Sequence, residues 1–473
     1  MNVVVEPAEA LFGEVDIPGD KSLSHRSIML AAISDKPTYI SGFLPGLDTL
    51  ASLSAIEQIG ISVQQKSGTE LYIQGQGLSH FTQLLAQKNR VLDFHNAGTG
   101  IRLFSGLLAS ACGQIKLTGD ASLCARPMKR ITVPLRQMGV DIRGAFFEHN
   151  QEERAPLFFN SSKSPTKLTP IHYVLPQASA QVKSCLLLAG LFAKGETTLV
   201  EPIQTRDHTE RMLVEFGAKI KKQEKKISIE GDPLYQKLAL KNGHYEIVRD
   251  FSSAAFFIVG ALIAKKAELL IRKIGLNPSR TGLLTVLLKM GADIKIINTD
   301  FIQNEPIGDL MITSKNKLTG VSVSPEMLAL MIDEFPIFLL AALKATGPTI
   351  IEGIEELAYK ESNRVETMVK GLSQLGAKFD LNSIEGKLII YPLKKPERET
   401  ETVVLDSAKD HRVAMSLFMA SLLGGAPVKI QIQAIENIET SFPNFFEQAK
   451  KVGFCFNLII NQGGAKCRQE RLL

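Results

Sequence analysis

The chain has 473 residues, 45% of them hydrophobic, and a formal net charge of +5. This length implies a globular protein of two or three domains, and so modest a positive charge suits anionic small molecules without implying nucleic acid. No uninterrupted apolar run reaches membrane-spanning length, and five scattered cysteines without a CxxC pair point to reduced thiols in a cytosol-like compartment.

Residues 1–7 read as a short strand and not as a signal peptide. Pro18-Gly19-Asp20-Lys21-Ser22-Leu23-Ser24-His25-Arg26-Ser27 reads as a turn feeding a helix, with Asp20 as N-cap. Leu23, Ser27, Leu30 and Ala31 form its expected inward stripe, with Ser22 and Arg26 together on the opposite face. Free N–H donors at the helix start, joined by Lys21, Ser22 and Arg26, make a site for a doubly charged anion such as a phosphate.

A strand at 91–94 then runs into Asn96-Ala97-Gly98-Thr99-Gly100-Ile101-Arg102, where two glycines let a ligand approach the backbone. Arg126, beside Pro127, suits either a carboxylate or phosphate fork or plain solvation. Ser179-Ala180-Gln181-Val182-Lys183 opens another helix, and Thr205-Arg206-Asp207-His208-Thr209-Glu210 a further one. The basic run 221–226 reads as a solvated turn between strands, and 254–264 as a buried helix. Asp333 and Glu334 precede an apolar helix, either as N-caps or as acids. Lys360-Glu361-Ser362-Asn363-Arg364 and Asp410-His411-Arg412 each set a cation beside an acid, and the tail 461–473 reads as loosely ordered.

A helix end, a glycine and a new strand recur through the chain. The glycines are Gly60, Gly139, Gly217, Gly291, Gly376 and Gly453, at intervals of 79, 78, 74, 85 and 77 residues. Each reads as a helix C-cap, so the chain is a string of small α/β modules. Each module also holds a second, buried helix with a polar start, near Lys21-Ser22, Gly98-Thr99, Ser179-Ala180-Gln181, Ser252-Ser253, Asp333-Glu334 and Asp410-His411-Arg412.

No histidine spacing supports zinc, no GxSxG occurs, and Asp20 interrupts the Gly-Lys pair of a P-loop. The motifs at 18–27, 96–102, 126–128, 179–183, 360–364 and 410–412 follow one another in the order, and resemble the wording, of the EPSP synthases, a family of enolpyruvyl transferases. The wording at 96–102, 179–184 and 205–210 is similar to the bacterial class II branch.

That resemblance implies a two-domain inside-out α/β barrel fold, each domain holding three βαβαββ repeats around buried helices. One domain would span 21–247 and the other would join 1–20 to 248–460. It implies transfer of the enolpyruvyl group of phosphoenolpyruvate to the 5-hydroxyl of shikimate 3-phosphate by addition and elimination, releasing phosphate. Acid–base groups and charge stabilisation suffice for that chemistry, with no metal or cofactor. It also implies a cytoplasmic monomer of the shikimate pathway, serving aromatic amino-acid and chorismate biosynthesis, inhibited by glyphosate, and binding neither nucleic acid nor membrane.

Carried over residue by residue, the resemblance gives Lys21 to both substrates. Ser22, Arg26, Ser179, Ala180, Gln181, Arg206, Asp333 and Lys360 would bind shikimate 3-phosphate; Gly98, Arg126, Gln181, Arg364 and Arg412 would bind phosphoenolpyruvate. Asp333 would accept the hydroxyl proton and Glu361 would supply one to the methylene carbon, assisted by Lys21. Three positions depart from the family pattern: Asn363 stands where an Asp is usual and weakens the hold on Arg364, Ala180 replaces a Ser, and Thr440-Ser441 occupy the neighbourhood of a missing lysine. Two rival functions share some of these features. A sister transferase acting on UDP-N-acetylglucosamine uses a loop cysteine, but Cys124 reads as incidental; a non-catalytic repeat scaffold leaves the convergent cations and acids unexplained.

Overall fold

The computed structural model describes residues 1–459 except 86–89, 112, 148–150, 162–166, 235, 395–401 and 425–428. Cys112, Cys467 and the tail 461–473 lie outside the described residues. The chain divides into two compact units: one is Gly19–Val248 with Phe301–Glu305, the other Met1–Pro18, Arg249–Asp300 and the described part of 306–473.

Six four-stranded sheets are present among the described residues, three in each unit. One module shows the plan. Strand Arg90–Asp93 leads into helix Gly98–Leu107, strand Gly113–Thr118, helix Lys129–Gln137 and the antiparallel strands Ile142–Phe147 and Glu152–Ser161. The first two strands are parallel; the second pairs antiparallel with the fourth, which also pairs with the third. This βαβαββ order recurs in all six sheets, with distant segments completing some of them. His244–Glu246 runs parallel to Thr38–Ser41, and Ala10–Val15 runs parallel to Lys266–Gly275. Asn2–Val5 is inserted between Lys429–Gln433 and Phe456–Ile459. The N-terminal strands thus supply two sheets of the second unit.

The repeat has a local cause. Gly60, Gly139, Gly217, Gly291, Gly376 and Gly453 all have left-handed backbone, with φ from 88° to 117°. The following N–H returns to a carbonyl five residues earlier every time, as in Ile61 to Ile56, Ala218 to Leu213 and Ala377 to Leu372. This is the Schellman closure, and only glycine takes that conformation without a Cβ penalty.

The other helix of each module is buried almost completely. Phe251–Ile263 and His411–Met419 are buried throughout, and Phe335–Lys344 all but its last residue. Their apolar residues, with the inner faces of the three sheets, share one continuous core. In the Gly19–Val248 unit the inner helices are Lys21–Ala32, Gly98–Leu107 and Ala180–Gly190. The stripe expected of the first is not observed. Burial runs unbroken from Leu23 to Ala32, His25 and Arg26 included, because the helix lies inside its unit.

Polar side chains cap four of these helices. Asp20 accepts from the Leu23 N–H, Ser179 from Val182, Asp250 from Ser252, and Asp410 from both Arg412 and Val413. The basic run at 221–226 is a hairpin of Lys219–Gln223 and Lys226–Gly231. All six residues are exposed and the turn joins two strands, as expected, while Lys222 pairs with Asp207 at 3.2 Å and Lys221 with Glu196 at 3.1 Å.

Candidate active site

The residues singled out by sequence fall into two clusters, one in each unit. In the Gly19–Val248 unit, Lys21 opens the first inner helix and its Nζ lies 2.5 Å from Asp48 Oδ2. Arg26, only 5% exposed, donates from Nε to Thr209 Oγ1 at 2.6 Å, from Nη1 to the Ser22 carbonyl at 2.9 Å and from Nη2 to Ser184 Oγ at 2.8 Å. Ser184 Oγ in turn donates to the Ala180 carbonyl at 2.6 Å. Arg26 therefore ties the first inner helix to Ala180–Gly190 and His208–Glu215.

Gln181 makes a second tie. Its Nε2 donates to Thr99 Oγ1 at 3.0 Å, and its Oε1 accepts from Arg102 Nη1 at 2.6 Å. Arg102 Nη2 also donates to the Pro127 carbonyl at 3.3 Å. Arg126 has extended backbone, as a residue before proline must, and its Nη2 donates to Asn96 Oδ1. Asn96 Nδ2 reaches Asp120 Oδ2 at 2.7 Å, while Asp120 caps the short helix Ala121–Ala125. Gly98 lies directly under this arginine, since a Cβ there would stand 2.6 Å from Arg126 Nη1 and 3.4 Å from Arg102 Nη1. Ser179 is half-buried at its cap position, and Arg206 half-buried in the loop ahead of His208–Glu215.

Behind this cluster sits a buried ionic group. Lys183, with 0% exposure, lies 3.0 Å from Glu201 and 2.7 Å from Glu210. Burial alone would lower its pKa, but the two carboxylates outweigh it and raise the value. Cys124 is half-exposed, its Sγ donating to the Gly119 carbonyl at 3.3 Å.

The second cluster is built on Arg364, the first residue of helix Arg364–Ser373 and 1% exposed. Its Nε donates to Asp410 Oδ2 at 2.8 Å, Nη1 to Asp333 Oδ1 at 3.1 Å and Nη2 to Glu361 Oε2 at 2.6 Å. Burial works against its charge, but Asp410, Glu361 and Asp333 overcome it and raise the pKa. Arg412 Nη2 lies 3.7 Å from Asp333 Oδ2, so two guanidinium groups flank that carboxylate. Desolvation pulls the Lys360 ammonium below the ordinary lysine value; Asp333 acts against the shift and Arg364 adds to it. Asp333, Lys360, Glu361, Arg364 and Arg412 thus form one interacting set.

Asn363 does not loosen this set. Its side chain caps the helix by accepting from the Glu366 N–H at 3.4 Å, and three carboxylates hold Arg364 without it. Glu334 is not a side-chain cap either. Its carboxylate is buried and accepts from Ser252 Oγ, which itself accepts from Arg280 Nη2 at 3.0 Å; Arg280 also pairs with Asp250 at 2.7 Å. Arginine has no acceptor, so the serine proton is directed to Glu334. Asp48, the Arg280–Ser252–Glu334 chain and the Lys183 group were missed by the sequence reading. Each joins residues far apart in the chain, and no local spacing marks such pairs.

A family model described as EPSP synthase (3-phosphoshikimate 1-carboxyvinyltransferase) matches residues 5–449. The chain is 41% identical over 452 residues to the 3-phosphoshikimate 1-carboxyvinyltransferase of Petrotoga mobilis, covering 96% of this chain and 99% of that one. It is also 41% identical over 454 residues to that of Hydrogenovibrio crunogenus, covering 95% and 96%. The EPSP synthase structure from Acinetobacter baumannii superposes with a TM-score of 0.81 at 39% identity, covering 97% of this chain and 100% of that one. The enolpyruvyl transferase NikO from Streptomyces tendae shares the fold, with a TM-score of 0.71 at 16% identity over 96% and 98% of the two chains. The near-complete match in sequence, and the threefold repeat found in each unit, place this chain in the EPSP synthase family.

Proposed function

We propose that this protein transfers the enolpyruvyl group of phosphoenolpyruvate to the 5-hydroxyl of shikimate 3-phosphate, giving 5-enolpyruvylshikimate 3-phosphate and phosphate. Family membership across nearly the whole chain is the observation that carries the reading. The reaction adds a proton to the methylene carbon and the hydroxyl oxygen to C2. It then removes a proton from the new methyl group and expels phosphate, so the proton balance closes without an oxidant.

The two clusters suit different parts of this chemistry. Lys21, at a helix start, offers an ammonium to phosphate oxygens of both substrates. Ser22, Ser179, Ala180, Gln181 and Arg206 hold shikimate 3-phosphate. Arg26 binds it with them and also fixes the helices that present them, donating to Thr209, the Ser22 carbonyl and Ser184. Gly98 and Arg126, with Gln181, receive phosphoenolpyruvate. Lys360 adds a contact for shikimate 3-phosphate, and Arg364 and Arg412 contacts for phosphoenolpyruvate. Asp333 takes the hydroxyl proton, its carboxylate held in place between two guanidinium groups. Glu361 delivers a proton to carbon, with Lys21 assisting.

We infer further that the protein acts as a cytoplasmic monomer on small molecules, without nucleic acid, membrane or cofactor. Its described residues contain no helix long and apolar enough to cross a membrane. The decisive experiment is phosphate release from the two substrates. Phosphate should appear only when both are present, one per enolpyruvyl ether formed. Release with phosphoenolpyruvate alone, or no release at all, would overturn the reading.

A further inference from the structure

Two polar rungs join the helices Lys21–Ala32 and Leu47–Ile59. Lys21 meets Asp48 at 2.5 Å, and His25 Nδ1 shares a hydrogen bond with Ser52 Oγ at 2.8 Å. The rungs lie four residues apart on both helices, so each is one turn from the other. His25 and Ser52 are both fully buried. A buried polar rung so close to a surface-reaching lysine constrains more than packing does, because a hydrogen bond fixes rotation and height where apolar contacts allow sliding.

The second rung also reaches a third helix. A Cβ on Gly100 would come 2.9 Å from Ser52 Oγ, so Gly98–Leu107 rests against this hydroxyl through bare glycine backbone. Gly98 and the Arg126 guanidinium stand at the start of that same helix. The His25 ring is held neutral: burial, then the Lys21 and Arg26 cations, press its pKa well below the ordinary value. A neutral ring can tie the two helices without adding a third positive charge between Lys21 and Arg26.

We propose that His25 and Ser52 are positioning residues for Lys21, setting where its ammonium is presented relative to the Gly98 turn. The proposal rests on the reading that Lys21 grips phosphorylated substrates. It differs from a packing role in what it predicts. Packing is satisfied by shape, whereas positioning needs a polar atom at the place of Nδ1, and an asparagine carboxamide supplies one.

The test is steady-state kinetics with both substrates on Ser52→Ala, His25→Leu and His25→Asn, each with a thermal melt. Ser52→Ala and His25→Leu should raise the KM for shikimate 3-phosphate by about tenfold, and His25→Asn should stay within about twofold of wild type. Ser52→Ala loses one buried hydrogen bond and little bulk, so it should melt lower but remain folded at the assay temperature; if His25→Leu fails to fold, Ser52→Ala decides alone. Unchanged KM values in folded Ser52→Ala, or His25→Asn as impaired as His25→Leu, would overturn the proposal. A wild-type protein that does not turn these substrates over would instead refute the functional reading on which it rests.

Discussion

The two clusters hold their arginines in different ways. In the Gly19–Val248 unit, Arg26, Arg102 and Arg126 donate to hydroxyl, amide and carbonyl oxygens of Thr209, Ser184, Gln181, Pro127 and Asn96. Each of these contacts orients a guanidinium through a neutral oxygen. In the other unit Arg364 meets three carboxylates, and Arg412 shares one of them. There the charge is largely spent inside the protein, and what it secures is the placement of acids. The first arrangement suits gripping anions, the second moving protons.

This contrast predicts that substitutions in the two clusters separate kinetically. Asp333→Asn keeps the shape of its side chain but cannot take a proton. It should lower kcat by about a thousandfold with little change in either KM, measured by phosphate release. An equal loss through KM would place Asp333 in binding instead. Gly98→Ala probes the gripping cluster by a smaller step. The added methyl would stand 2.6 Å from Arg126 Nη1, so the guanidinium must give way. Both the PEP KM and the glyphosate inhibition constant should rise, the latter by about tenfold more if the methyl also crowds the inhibitor. Equal shifts in both constants would refute the steric account.

The smallest expected effect lies in acid stability. His25 is held neutral in the folded protein, while in the unfolded chain it takes up a proton below about its ordinary value of 6.5. The unfolded state then binds more protons, so this group's contribution to stability is complete above pH 6.5 and is lost as pH falls towards the depressed folded value. Wild type should lose stability more steeply than His25→Asn there, by about 1.4 kcal/mol per pH unit. Parallel denaturation curves for the two proteins at pH 7 and pH 5.5 would contradict a neutral buried ring.

Much of the fold was legible because its determinants are local. Six glycines at helix ends state their own reason, since each left-handed turn excludes other residues. The starts near Lys21, Gly98, Ser179, Ser252, Asp333 and Asp410 likewise named the six inner helices. At Asp20, Ser179, Asp250 and Asp410 the reason is capping chemistry, which acts within three residues, while Gly98–Leu107 and Phe335–Lys344 begin without a side-chain cap. Partnership across the chain was not legible. Asp48 looks like an ordinary first-turn acid until the fold brings it to Lys21, and Glu305 gives no sign that it will meet His208 at 2.8 Å. The excursion Phe301–Glu305, which carries that glutamate into the Gly19–Val248 unit, had no signature of its own. At Asn363 the local role was not legible: it caps the helix through the Glu366 N–H, while the neighbouring Glu361 and the remote Asp333 and Asp410 hold Arg364.

Isothermal titration of shikimate 3-phosphate into wild-type protein and into Lys21→Met tests most directly whether an ammonium at a helix start is what grips the phosphorylated substrate. Wild type should bind with measurable heat, and the variant, folded by its melting curve, should bind at least about a hundredfold more weakly and turn over almost nothing. Equal affinities in the two proteins, or no heat with either, would contradict the account.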